Sequence, residues 1–211
     1  MAKPDRPGGF ADSTVLVAGA ACDVGVELCH AFAGAGARVV AVDPDEASVL
    51  GLGRHAPDRI DTLALDVMQP VACRRLGNAW ADEPLHVLLH LLPLRSLSHP
   101  AAAMAAAETL TRALSTGLRA GRGRVLIVAA GAPRDASVTA GLLHDATRRL
   151  APALQVRHAS GGVTVNAILL PGEGAAVLEP RALWHAVAYL AAPGTARPCG
   201  AIVPLAAFPA D

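Results

Sequence analysis

The stretch Ser13 to Asp43, STVLVAGAACDVGVELCHAFAGAGARVVAVD, constrains the fold of this chain more than any other. Thr14 to Ala18 reads as a buried strand, followed by a turn of small residues through Gly19. Val24, Leu28 and Phe32 then recur every fourth residue, which places them on one face of a helix opening near Val24. Asp23 is placed to accept hydrogen bonds from the first free backbone N–H groups, as an N-cap does. Gly34 and Gly36 end the helix, because glycine takes the left-handed C-terminal conformation without steric cost. Arg38 to Val42 reads as a second apolar strand that stops on the carboxylate of Asp43. This order predicts one βαβ unit with parallel strands and a right-handed crossover.

Such a unit has a characteristic electrostatic use. The helix N-terminus carries unpaired N–H groups and a partial positive charge, and glycines in the preceding turn let a pyrophosphate approach the backbone. Asp43 lies eighteen residues after Gly25, close to the spacing at which an acid takes the ribose hydroxyls of NAD and repels the 2′-phosphate of NADP. Asp43 can equally serve as the polar cap of its strand. One residue opposes a dinucleotide: Gly19, Asp23 and Gly25 match a Gly-x-x-x-Gly-x-Gly turn whose middle glycine has become aspartate. A carboxylate beside two phosphates would repel them by ~1 to 4 kcal/mol at effective dielectrics of 80 down to 20. Asp23 therefore reads better as a helix cap, worth about 1 kcal/mol, and NAD binding as weakened or lost.

The same alternation continues along the chain. Strands are expected at Ile60 to Leu65, Val87 to Leu92, Val125 to Ala129, Val163 to Leu169 and Gly200 to Leu205. Helices are expected at Asp45 to Gly53, Val71 to Ala81, Pro100 to Gly117, Ala136 to Ala151 with a stop at Pro152, and Arg181 to Ala191. The expected fold is a single α/β domain over residues 13–211, a doubly wound, Rossmann-like parallel sheet of seven strands with helices on both faces, after a disordered segment 1–12.

Composition narrows the function classes. Eighteen basic and eighteen acidic residues cancel, which gives no footprint for nucleic acid or an anionic membrane. Arg119, Arg122 and Arg124 read as a solvated turn. With 53% hydrophobic but only 3% aromatic residues, the core must be filled by Ala, Val and Leu. Cys22, Cys29, Cys73 and Cys199 form no C-x-x-C pair, and no His-x-x-x-His or His-Glu-x-x-His spacing occurs, so no metal site is expected. No signal-peptide core and no run of eighteen apolar residues is present, and the expected location is the cytoplasm.

The motifs taken together resemble the short-chain dehydrogenase/reductase family over nearly the whole chain. The Gly19 to Gly25 turn, with Cys22 and Val24 inside it, is similar to that family's opening loop, Asp43 to its NAD-selecting acid, and Asp66-Val67 to its adenine-contacting pair. GRVLIVAA (123–130) resembles the fifth strand, ATRRLAPAL (146–154) the helix after the active site, GVTVNAILLPG (162–172), ending in Pro171-Gly172, the sixth strand and its exit, and AVAYLAAP with CGAIVPL the last helix and strand. The resemblance implies a catalytic Tyr, Lys, Ser and Asn. It places them at Ala136, Ala140, Ala130 and near Ala103, so all four functional groups are replaced by methyls. The single tyrosine, Tyr189, matches a core position of the family. The family's Asn-Asn-Ala-Gly stretch is here His90, Leu91, Leu92 and Pro93, and the loops 90–103, 130–136 and after Gly172 are short.

These departures imply a non-catalytic subunit. In the family, the helices matching 100–117 and 136–151 pair between subunits, and Ala103, Ala106, Leu110 and Leu114 are expected to form an apolar associating face toward a second copy or an active relative. The alternative is an NAD-linked oxidoreductase, or an isomerase or cyclase, with His90 at the end of the fourth strand as acid or base. His144 with Asp145 is a weaker candidate, and Ser137 and Thr139 lack a paired base.

Overall fold

Seven strands form one fully parallel sheet in the order β3-β2-β1-β4-β5-β6-β7. The computed structural model describes residues 9–95, 99–130, 138–170, 180–193 and 198–205. The strands are β1 Thr14–Ala18, β2 Arg38–Asp43, β3 Ile60–Ala64, β4 Val87–His90, β5 Arg124–Ala130, β6 Thr164–Leu170 and β7 Ile202–Pro204. Between them run α1 Asp23–Gly34, α2 Glu46–His55, α3 Pro70–Trp80, α4 Leu92–Arg95, α5 Pro100–Ala113, α6 Ser115–Ala120, α7 Val138–His158 and α8 Pro180–Ala191.

The period of two in the strands explains why helices cover both faces. Leu16, Leu88, Val125 and Ile127 point to one side and pack with α3, α5, α6 and α7. Val15, Val17, Leu89, Leu126 and Val128 point to the other and pack with α1, α2 and α8. A strand apolar at every position is what a sheet buried on both faces requires. The strand order reverses direction between β1 and β4, and in open sheets of this kind ligands bind at the carboxyl ends of the strands beside that switch.

Several boundaries differ from the sequence reading. Phe10 is fully buried, its ring edge-on to Phe32 at 5.0 Å and tilted against Trp184 at 6.1 Å. The packed chain therefore reaches back past residue 13, because this ring fills the gap between α1 and α8. Pro152 does not stop α7, which continues to His158. Proline removes one helical hydrogen bond, but Pro152 and Arg148 are exposed, so water can serve the freed carbonyl, while buried Ala151 and Leu154 hold the helix on the sheet. The segment after β4 leaves the sheet at His90 and coils into α4 instead of extending to Leu92.

The apolar row on α5 faces inward. Ala103, Ala106, Leu110 and Leu114 are at most 5% exposed and belong to the core beneath α3 and α7. They cannot be an associating face, since the sheet and its helices already cover them. The side of α5 left toward solvent carries Ala101, Ala102, Ala105 and Arg112.

Candidate functional site

The turn after β1 brings the expected cofactor residues to the carboxyl edge of the sheet. Gly19 has φ +85°, a conformation that favours glycine, and a Cβ there would sit 3.1 Å from the backbone of Leu91 and Leu92. Its N–H and that of Ala20 both donate to the Val42 carbonyl, at 2.9 and 3.2 Å. Gly25 is required for a different reason: a Cβ would lie 2.4 Å from the Ala20 oxygen. Thus the spaces the two glycines leave are filled by the chain's own backbone.

Asp23 is not the cap. Cys22 is the N-cap residue and makes no side-chain capping bond; its Sγ instead lies 3.4 Å from the Gly19 carbonyl, and burial pushes its thiol pKa up. Asp23 is the first helical residue and is exposed, stabilised by the helix dipole rather than by a capping bond. Val24 is half-buried beside it. An exposed carboxylate therefore stands at the position where a phosphate-binding turn would carry its middle glycine.

Asp43 closes the other side of the turn. It is fully buried; Oδ2 accepts from the Ala21 N–H at 3.1 Å, and Oδ1 accepts from the Asp45 N–H at 3.0 Å and the Arg95 Nη2 at 2.9 Å. Asp66 folds onto its own loop, accepting from the Met68 N–H at 3.0 Å and Gln69 Nε2 at 3.3 Å, and Val67 is in the core. Pro171 and Gly172 lie outside the described residues. The residues present do not fit a dinucleotide in this arrangement: the ribose acid is enclosed and engaged, the Gly19, Ala20 and Ala21 N–H groups are already bonded to Val42 and Asp43, and Asp23 sets a negative charge where a phosphate would lie.

His90 ends β4 with no solvent exposure. Its Nε2 is 2.9 Å from Thr111 Oγ1, and that hydroxyl donates to the Ala107 carbonyl at 2.8 Å. Because the hydroxyl proton is already placed, Oγ1 accepts from His90, which sets the Nε2–H tautomer. Nδ1 is then a bare buried acceptor without a partner among the described residues. Burial lowers the imidazole pKa to about 3. At neutral pH the ring is uncharged and has no contact with solvent.

The remaining candidates are scattered. Ala103 is buried at the start of α5, Ala130 ends β5, Ala140 lies on α7, and Ala136 and Ser137 lie outside the described residues. Thr139 is on α7; His144 is on the same helix with Nδ1 3.6 Å from Asp145 Oδ1, a pair distant in kind from any proton-relay arrangement. Tyr189 is 58% exposed, not in the core. Among the described residues no group of three or more His, Cys, Asp and Glu could hold a metal, and no helix is long and apolar enough to cross a membrane. Sequence reasoning missed Arg95 and Thr111. Arg95 was a cation in a short apolar loop, and Thr111 a polar residue on an apolar helical face, the one signal that a buried polar partner lay opposite it.

No family model matches the chain, and no curated protein matches it either. Solved structures do. A protein assigned as a short-chain dehydrogenase/reductase from Burkholderia xenovorans is similar over 95% of this chain and 97% of its own, with a TM-score of 0.78 at 18% identity. An apo SCOR enzyme from Clostridium thermocellum is similar over 93% of this chain and 92% of its own, with a TM-score of 0.76 at 16% identity. A single sheet in the order 3-2-1-4-5-6-7, flanked by helices on both faces and similar to these structures over 93 to 95% of its length, gives this chain the short-chain dehydrogenase/reductase fold.

Proposed function

We propose that this chain is a catalytically degenerate short-chain dehydrogenase/reductase that acts as a non-catalytic subunit, associating with itself or with an active relative. One observation carries the reading: among the described residues, the carboxyl ends of β4, β5 and β6 offer His90, Ala130 and Leu170, of which only His90 can move a proton, and it is sealed and neutral. Positioned proton transfer contributes about 10²- to 10⁴-fold to such chemistry, so its loss leaves a scaffold with little to offer a carbonyl substrate.

Association would use the outward sides of α5 and α7. These carry Ala101, Ala102 and Ala105 on one helix and Arg148, Arg149, Ala153 and Val156 on the other, with Val156 81% exposed. Small and apolar residues beside arginines suit a contact with an apolar centre and a polar rim. A reducing, cytoplasmic setting fits four cysteines of which none is in a disulfide. The test is light scattering of the purified chain at micromolar concentration, with mass spectrometry of what co-purifies and an NADH-oxidation assay on simple ketones. A dimer or hetero-complex without NADH consumption is expected. A monomer that retains no partner, or steady NADH consumption, refutes the reading.

A further inference from the structure

We infer that Arg95 is a built-in latch on the dinucleotide groove: it occupies the carboxylate that an NAD ribose would need, so the resting chain excludes NAD. The inference rests on the family reading only for the identity of the excluded ligand; the closure itself stands on geometry. Three separate segments converge on the buried carboxylate of Asp43, namely the glycine turn through the Ala21 N–H, the exit of β2 through the Asp45 N–H, and α4 through the Arg95 guanidinium. A ribose diol needs both carboxylate oxygens reachable from the groove, and here Oδ1 already has two donors and Oδ2 one, with no solvent path to either.

The latch is held in place by the turn that carries it. The Leu91 N–H donates to the Ala18 carbonyl at 2.8 Å, and the Leu94 and Arg95 N–H groups donate back to the Leu91 carbonyl at 2.9 and 3.1 Å. This turns the chain over the end of β1, where the Leu91 and Leu92 backbone abuts Gly19. The backbone of Arg95 is thus held over the groove, and its charge faces a buried anion. Its side chain is nevertheless 30% exposed, so release requires only a side-chain movement toward water and no unfolding of the sheet.

The experiment titrates NADH by fluorescence and NAD by calorimetry into the full chain and into Arg95→Ala, Arg95→Gln and Arg95→Lys. Glutamine is uncharged and ends two bonds short of the Nη2 that reaches Asp43, so it vacates the carboxylate while keeping a polar side chain, which guards against an Ala variant that fails to fold; circular dichroism melts check each protein. Wild type and Arg95→Lys should show no saturation up to about 1 mM, and Arg95→Ala or Arg95→Gln should bind at least about tenfold tighter. Saturable binding by wild type without NADH consumption overturns the latch and leaves the subunit reading standing. Folded Ala and Gln variants that bind no better than wild type also overturn the latch alone. NADH consumption by wild type overturns both.

Discussion

His90 makes a quantitative prediction about acid stability. Its imidazole is fully buried and titrates near 3 in the folded chain against an ordinary value of 6.5, because burial disfavours the charged form. The unfolded chain takes up a proton below pH 6.5, while the folded chain does not until about pH 3. The unfolded state therefore binds more protons across that window, and stability falls as pH falls through it. At ~1.4 kcal/mol per pH unit, the loss between pH 7 and pH 5 is about 2 kcal/mol, and the whole window amounts to ~5 kcal/mol. Against a total of about 5 to 15 kcal/mol for a domain, that is a large share. The comparison is urea unfolding of wild type and His90→Leu at pH 7 and pH 5. Leucine removes the titrating ring, and Thr111 keeps its bond to the Ala107 carbonyl, so no hydroxyl is orphaned. His86 and His158, whose pKa values burial also lowers, and every carboxylate contribute equally to both proteins and cancel in the difference. Wild type should lose about 2 kcal/mol more than the variant. Equal losses in the two proteins would show that His90 is not sealed, and would return it to the list of candidate acids and bases.

Removing the Arg95 charge strands a buried anion. Arg95→Ala should cost about 2 to 3 kcal/mol by urea unfolding at pH 7, below the ~3 to 5 of a fully buried pair, because the guanidinium is 30% exposed and two N–H donors still hold Asp43. Gly25→Ala should destabilise by at least about 2 kcal/mol, since its Cβ would lie 2.4 Å from the Ala20 oxygen. Gly51→Ala, mid-helix in α2 with nothing within 4 Å of the added methyl, should stabilise by about 0.5 to 1 kcal/mol in the same assay. Opposite signs for these two glycines are the outcome that supports the backbone geometry; equal signs contradict it.

Much of the fold was legible because its signals are local. Runs such as Val87-Leu88-Leu89 and Val125 to Ala129 are apolar at every position, which marks strands covered on both faces. The boundaries that failed were set by distant packing. Pro152 looked like a stop because proline breaks isolated helices, yet Ala151 and Leu154 are anchored by a sheet the local sequence does not mention. Phe10 looked like tail because nothing nearby repeats with it, and its partners Phe32 and Trp184 are remote in the chain. On α5 the periodic row was read correctly as one face and assigned to the wrong side: an amphipathic pattern says which residues share a surface, not whether a sheet or a second subunit covers it. The site was hardest. Asp43 was singled out by spacing, but its occupant is Arg95, and an ion pair between a strand end and a one-turn helix far apart in the chain leaves no periodicity to detect.

The burial of Phe10 has a consequence for trimming this molecule. A shortened version that starts at Gly9 keeps the ring between α1 and α8, whereas one that starts at Asp12 leaves Phe32 and Trp184 facing a hole the size of a phenyl group. The useful limit for a minimal form is thus set by one aromatic plug upstream of the first strand, and a fusion partner is better attached before residue 9 than against the sheet.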